Sequence, residues 1–203
     1  MFATQRKALR RWETEKPYLL VASPPYTAFS VLQNLTRDKR EAAEVQAELD
    51  AAIQHFAFAI FLCLKPAADG SKFDFEHPVG ASLWQLALVN KALRVDDAER
   101  VNFDFCSVGM TIAVQGAVLP VKKRTSVVIN FCRLTRALRQ RQCPGLHAHA
   151  NTMGGRIKQC EVYPDMFCEP VCREVLSERT EADCGVDDRD ITAEMNFLMC
   201  LEP

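Results

Sequence analysis

Glycine is scarce in this 203-residue chain: there are eight, and the first is Gly70. No glycine-rich turn can therefore follow a strand in the first third of the sequence, which excludes the usual phosphate- or nucleotide-cradling loop from that region. Excess charge is missing too. Lys plus Arg number 25 against 26 Asp plus Glu, so no bulk field draws the molecule to nucleic acid or to a membrane, and any such partner must use a local patch. The longest apolar run, residues 53–64 with His55 inside it, falls short of the roughly 20 residues a bilayer span requires and reads as a core helix, with no membrane association expected. The amino terminus, MFATQRKALRRWETEKP, is basic but has no apolar segment of signal-peptide type, and Glu13 and Glu15 interrupt any amphipathic presequence. Intracellular residence, nuclear or cytoplasmic, is the expectation.

Apolar residues make up 48% of the chain, enough to bury a core of one domain with an appendage. Cysteines number nine. Cys63 and Cys106 lie in apolar segments that read as helix and strand, where a free thiol packs. The rest crowd the carboxyl-terminal half, and without an export signal reduced thiols or a metal site are expected rather than a disulfide framework.

Hydrophobic periodicity predicts a basic helix over 4–15, a short buried strand in PYLLVAS (17–23), and a long helix from about Arg40 to Lys65 closed by PAADG. Strands follow at KFDFEHP (72–78), RVNFDFC (100–106) and TSVVINF (125–131), with helices at 82–93 and 132–143. This alternation argues for an α/β fold whose sheet is parallel at least in part and covered by helices on both faces. After Cys143 the texture changes to a stretch dense in His, Cys and Gly. The expected organisation is an α/β domain over 1–143, a small His/Cys-rich extension over 144–177 and an acidic tail over 178–203.

Ligands of open α/β sheets bind outside the carboxyl ends of the strands. Two unusual segments fall there: Ser23, Pro24, Pro25 and Tyr26 after the first strand, and Glu76, His77 and Pro78 at the end of the second. The prolines stiffen the backbone and withhold amide donors, which leaves carbonyl groups to accept hydrogen bonds from a flat, amine-bearing ring.

On these residues the chain resembles DNA cytosine-5 methyltransferases. ASPPYTAFSVLQ is similar to their motif IV, in which Pro-Pro-Cys is followed by Phe-Ser, and FEHP is similar to their Glu-Asn-Val motif. With DFCSVGM, PVKKRTSVVINF, CPGLHAHANTMGGR and VYPDMFCEPVCREV, the pattern over roughly residues 10 to 177 resembles a divergent methyltransferase-like family carried by mobile elements in protists. The resemblance implies a partial Rossmann-like methyltransferase sheet and DNA as partner. Glu76 would contact the ring nitrogen of a flipped cytosine, with Ser23, Pro24, Pro25, His77, Lys123 and Arg124 around the base.

Tyr26 stands where the family has its nucleophilic cysteine. A phenol with a pKa of about 10 is a poor substitute for a thiolate that must add to cytosine C6. A catalytically impaired protein or a fragment is therefore expected. Ser-Pro-Pro-Tyr also matches motif IV of the exocyclic-amino DNA methyltransferases, which act on adenine or cytosine without a covalent intermediate. Both classes use S-adenosylmethionine, whose half of the sheet has no room before residue 17. It would have to come from a partner chain at the exposed edge of the first strand, an edge that also invites homodimerisation. A third alternative is a non-enzymatic nucleic-acid or protein-binding module.

The Cys/His-rich stretch offers a structural zinc. Cys143, His147, His149, Cys168 and Cys172 supply thiolate and imidazole donors at spacings a turn or helix brings together, with Cys160 nearby, although no CxxC pair is present.

Overall fold

The computed structural model describes residues 3–30, 39–68, 70–152 and 156–182. Most of the acidic tail, including Cys184 and Cys200, and the glycine pair of NTMGGRIK lie outside them. The fold is mixed α/β. In chain order the elements are α1 (Ala3–Glu15), β1 (Leu19–Ala22), α2 (Ala42–Ala68), β2 (Lys72–Pro78), α3 (Ala87–Ala92), β3 (Glu99–Asp104), β4 (Thr111–Val114), β5 (Ala117–Pro120), β6 (Arg124–Ile129), α4 (Cys132–Arg139) and α5 (Asp165–Ala182). Four strands form one sheet in the order β1-β2-β6-β3, with the last strand of the chain inserted beside the second, and β4 and β5 form a separate pair.

The chain divides into two compact units, residues 1–100 with 127–131 and residues 101–126 with 132–203. Segment 144–177, expected as a separate extension, thus groups with 101–126.

In the first unit β1 and β2 pair in parallel with Leu19 opposite Lys72 and Ala22 opposite Phe75. This brings their carboxyl ends level. β2 alternates as a strand must: Phe73, Phe75 and His77 share one face, and Asp74 and Glu76 the other. Both faces are buried. Helix α2 packs Phe56, Ile60 and Cys63 into the cluster formed by Phe73, Phe75, Leu83 and Val128. The Phe56 and Phe75 rings meet edge-on at 5.4 Å. By length and composition α2 is apolar enough to cross a membrane, because its helical run continues well before the apolar stretch 53–64. Within the apolar window 22% is buried.

The helix expected over 82–93 is broken. A 3₁₀ turn occupies Ser82–Gln85, Leu86 is extended at ψ 136, and only Ala87–Ala92 is α-helical. Tertiary hydrogen bonds hold the turn against its helical propensity, with Trp84 Nε1 donating to the Pro78 carbonyl at 2.7 Å. Asn130, just after β6, closes the same unit: its Oδ1 accepts from the Phe73 amide at 2.7 Å and its Nδ2 donates to the Ser71 carbonyl at 3.1 Å.

In the second unit β4 and β5 make an antiparallel hairpin. Gln115 and Gly116 turn it with φ of 50° and 85°, the pair of positive angles that a tight two-residue hairpin demands. Phe103, Phe105, Tyr163 and Phe167 form an aromatic cluster in which the Phe167 ring meets the other three, nearly parallel to Phe103 at 5.5 Å. This cluster packs α5 into the unit.

Candidate functional site

The parallel register of β1 and β2 sets Ser23 beside Glu76. Ser23 Oγ donates to Glu76 Oε2 at 2.6 Å, a charge-assisted bond of the short, strong kind. Glu76 is 2% exposed while Ser23 is exposed above it. The hydroxyl spends its one proton on the carboxylate and keeps its lone pairs to accept a hydrogen bond from outside. Among the described residues no backbone amide bonds to the carbonyl of Pro24 or Pro25. Tyr26 has φ −95° and ψ −6°, and its carbonyl accepts from the Phe29 amide to start a 3₁₀ turn.

His77 is not at the surface of this site. Its ring is 1% exposed, stacked parallel to Phe75 and met edge-on by Tyr26 at 6.3 Å, Phe29 at 6.1 Å and Trp84 at 6.3 Å. The strand alternation that aims Glu76 toward Ser23 sends His77 to the opposite, aromatic face, so the expectation that it lines a substrate is replaced by a packing role beneath Tyr26. Asp74, two residues before Glu76, is also buried, and its carboxylate has no hydrogen-bond partner among the described residues. Burial, reinforced by the charge of Glu76, pushes its pKa up to about 8. Sequence reading passed over Asp74, although a charge between two phenylalanines in a buried strand is the visible signal.

Lys123 and Arg124 belong to the second unit. The Lys123 ammonium lies 5.0 Å from the centre of the Phe105 ring, and Arg124 is exposed at the start of β6.

A second constellation lies wholly within the second unit. Cys106, Cys143, His147 and His149 present four ligand atoms that are all within 4.8 Å of one another, and the group could hold a metal ion. Cys143 Sγ is 3.7 Å from His147 Nε2 and 3.3 Å from His149 Nε2. Cys106 was expected to pack inside a strand. Instead β3 ends at Asp104 and a 3₁₀ turn over Phe105–Val108 swings the thiol to Cys143. Burial and the hydrogen bond with Cys143 push the Cys106 pKa up to about 11, and the His149 pKa is lowered, first by burial and then by His147 and Lys122. The glycine that closes the turn, Gly109, was the sequence signal that the strand stops short.

Cys168 and Cys172, expected as metal ligands, are not in the group. Both sit on α5, one turn apart, with thiol pKa values raised chiefly by burial. The helix supplies no histidine beside them. Cys160 is buried. The seven cysteines of the described residues are all free thiols.

Compared with protein-family models, curated proteins and solved structures, the chain matches none.

Proposed function

We propose that the strand-end site is the base-recognition wall of a DNA methyltransferase-like protein that does not perform cytosine-5 methylation. The observation that carries this reading is the Ser23–Glu76 hydrogen bond at 2.6 Å. Glu76, buried with Oε2 bonded to Ser23, does not reach the ring nitrogen itself; it fixes the surface Ser23 hydroxyl so that the lone pairs of that oxygen, with the proline carbonyls, receive the exocyclic amine of a cytosine. The base must leave its stack to reach them. Exposed Arg6, Lys7 and Arg10 on α1, in the same unit, supply phosphate contacts for the strand that carries it.

Tyr26 offers no thiolate, and its ring is engaged with His77. S-adenosylmethionine has no glycine-rich cradle among the described residues of the first unit. A second reading is favoured by one observation: β1 stands at the end of the strand order, which is where a partner-supplied cofactor half would add, and Ser-Pro-Pro-Tyr is a motif of amino-methyltransferases. Mixing the chain with that partner would then yield methyl transfer to adenine or cytosine.

Tyr26→Cys tests the base position. If the base rests against Ser23, the new thiolate adds to C6 of an electrophilic cytosine analogue in a single-stranded oligonucleotide, a solvent proton completes position 5, and the adduct survives denaturing electrophoresis. Wild-type protein and the Tyr26→Cys/Ser23→Ala double variant give none. An adduct that forms equally well in the double variant contradicts the reading.

A further inference from the structure

We infer that Cys106, Cys143, His147 and His149 form a closed, four-coordinate zinc site that fastens the irregular segment 141–150 to the end of β3, with Asp104 as the carboxylate that positions it. The inference concerns the second unit and does not depend on the base-site reading.

A tetrahedral zinc with Zn–S of about 2.3 Å and Zn–N of about 2.0–2.1 Å separates its ligand atoms by roughly 3.4–3.8 Å. Cys143 Sγ already stands 3.3 and 3.7 Å from the two Nε2 atoms. No separation in the group exceeds 4.8 Å, so closure on an ion needs side-chain shifts of about an ångström. Two thiolates with two imidazoles select zinc over calcium or magnesium, which prefer oxygen. Four protein ligands leave no position for water or substrate, which makes the site structural rather than catalytic.

The surroundings are those of a built site. The Cys143 amide donates to Asp104 Oδ2 at 2.9 Å, and Asp104 is 3% exposed. Its own amide donates to the Arg141 carbonyl at 2.9 Å, and Ser107 Oγ, 2.6 Å from the Asp104 carbonyl and 2.8 Å from that of Arg141, shares its one proton between them. Gln142 reaches back to the Asn102 carbonyl, and the Ala150 amide bonds to the Pro120 carbonyl at 2.8 Å. Between these anchors Gly145, at φ 74°, turns the chain so that its amide donates to Cys143 Sγ at 3.4 Å. An N–H aimed at a ligand sulfur is the outer-shell contact that stabilises a metal-bound thiolate. Segment 140–152 contains no helix or strand, and a cross-link from Cys106 to Cys143, His147 and His149 supplies what regular structure does not.

The test uses the full chain, purified under reducing conditions without added chelator. Elemental analysis is expected to find one zinc per chain, and cobalt(II) replacing it is expected to show the intense visible bands of a tetrahedral site together with thiolate charge transfer. Cys106→Ser and His147→Ala lose the stoichiometric zinc, Cys168→Ser and Cys172→Ser keep it, and Asp104→Ala, which removes the acceptor for the Cys143 amide, keeps it with affinity roughly 10- to 100-fold weaker. Should the ligand variants fail to fold, the wild-type cobalt spectrum decides alone. Absence of zinc and of a tetrahedral spectrum on cobalt addition, or zinc lost with Cys168→Ser but retained by Cys106→Ser, overturns the assignment, as does a Cys106–Cys143 disulfide in the freshly reduced, metal-exposed protein.

Discussion

Asp74 is the most consequential buried charge in the described residues. Its pKa is pushed up to about 8 by burial and by Glu76, whereas an unfolded chain holds an aspartate near 3.9. Between about pH 4 and pH 8 the folded state binds the extra proton, so stability is greatest at the acid end of that window and declines as pH rises through it. Asp74→Asn keeps the shape and removes the titration. Thermal melts from pH 5 to 8 are expected to show a falling midpoint for wild type, a flatter profile for the variant, and a higher midpoint for the variant at pH 8. Asn130 gives a second prediction at this scale. Asn130→Ala strands the Phe73 amide and the Ser71 carbonyl, and urea unfolding is expected to register a loss of about 2–4 kcal/mol. Individual chemistry of this kind was only partly legible in the sequence. Ser23 and Glu76 could be singled out because both fall at strand ends, and the alternation of KFDFEHP already places His77 on the Phe73 and Phe75 face, but that Ser23 lies level with Glu76 is fixed only by the pairing of β1 with β2.

At the scale of elements, period and punctuation sufficed where local pattern and tertiary packing agree. β2 begins and ends at the expected residues and α1 lies where helical spacing placed it, whereas α2 runs on through Pro66 to Ala68 and α4 stops at Arg139, four residues before the expected end. Disagreement arises where side-chain bonds across the fold outweigh propensity. Trp84 and Ser82 hold a 3₁₀ turn where a continuous helix was expected. The β4–β5 hairpin is short, and its residues carry no strong alternation. Helix α5 runs through Pro170, a residue that argues against a helix in any local reading, and the aromatic cluster of Phe103, Phe105, Tyr163 and Phe167 is what holds it. Packing of α2 on the sheet carries its own expectation: Phe56→Ala removes a fully buried ring that touches both Phe29 and Phe75. The variant is expected to lose about 3–5 kcal/mol in denaturant unfolding.

For the whole molecule, two units within one chain carry separate chemistries. The first holds a carboxylate and a hydroxyl at level strand ends, and the second holds a four-ligand Cys/His group. The alternation of strand and helix segments anticipated a mixed α/β fold, yet it could not partition the chain, because the partition depends on strands β3 and β6, which each run across the division. The Cys/His group was legible in part: Cys143, His147 and His149 are neighbours in the chain and their spacing marked them, but the fourth member of the group that could hold an ion is Cys106, brought there by the turn after β3 rather than by any motif.

On the proposed reading Ser23, held by Glu76, receives the exocyclic amine of a cytosine. Fluorescence anisotropy at one fixed salt concentration tests it directly, using labelled single-stranded oligonucleotides that differ only in carrying cytosine or an abasic site at one position. Cytosine is expected to tighten binding by about 10-fold or more, and Ser23→Ala, which removes the acceptor for the exocyclic amine, is expected to abolish the difference while leaving the salt dependence intact. Equal affinity for the two oligonucleotides, or a preference for cytosine that Ser23→Ala leaves unchanged, rules this reading out.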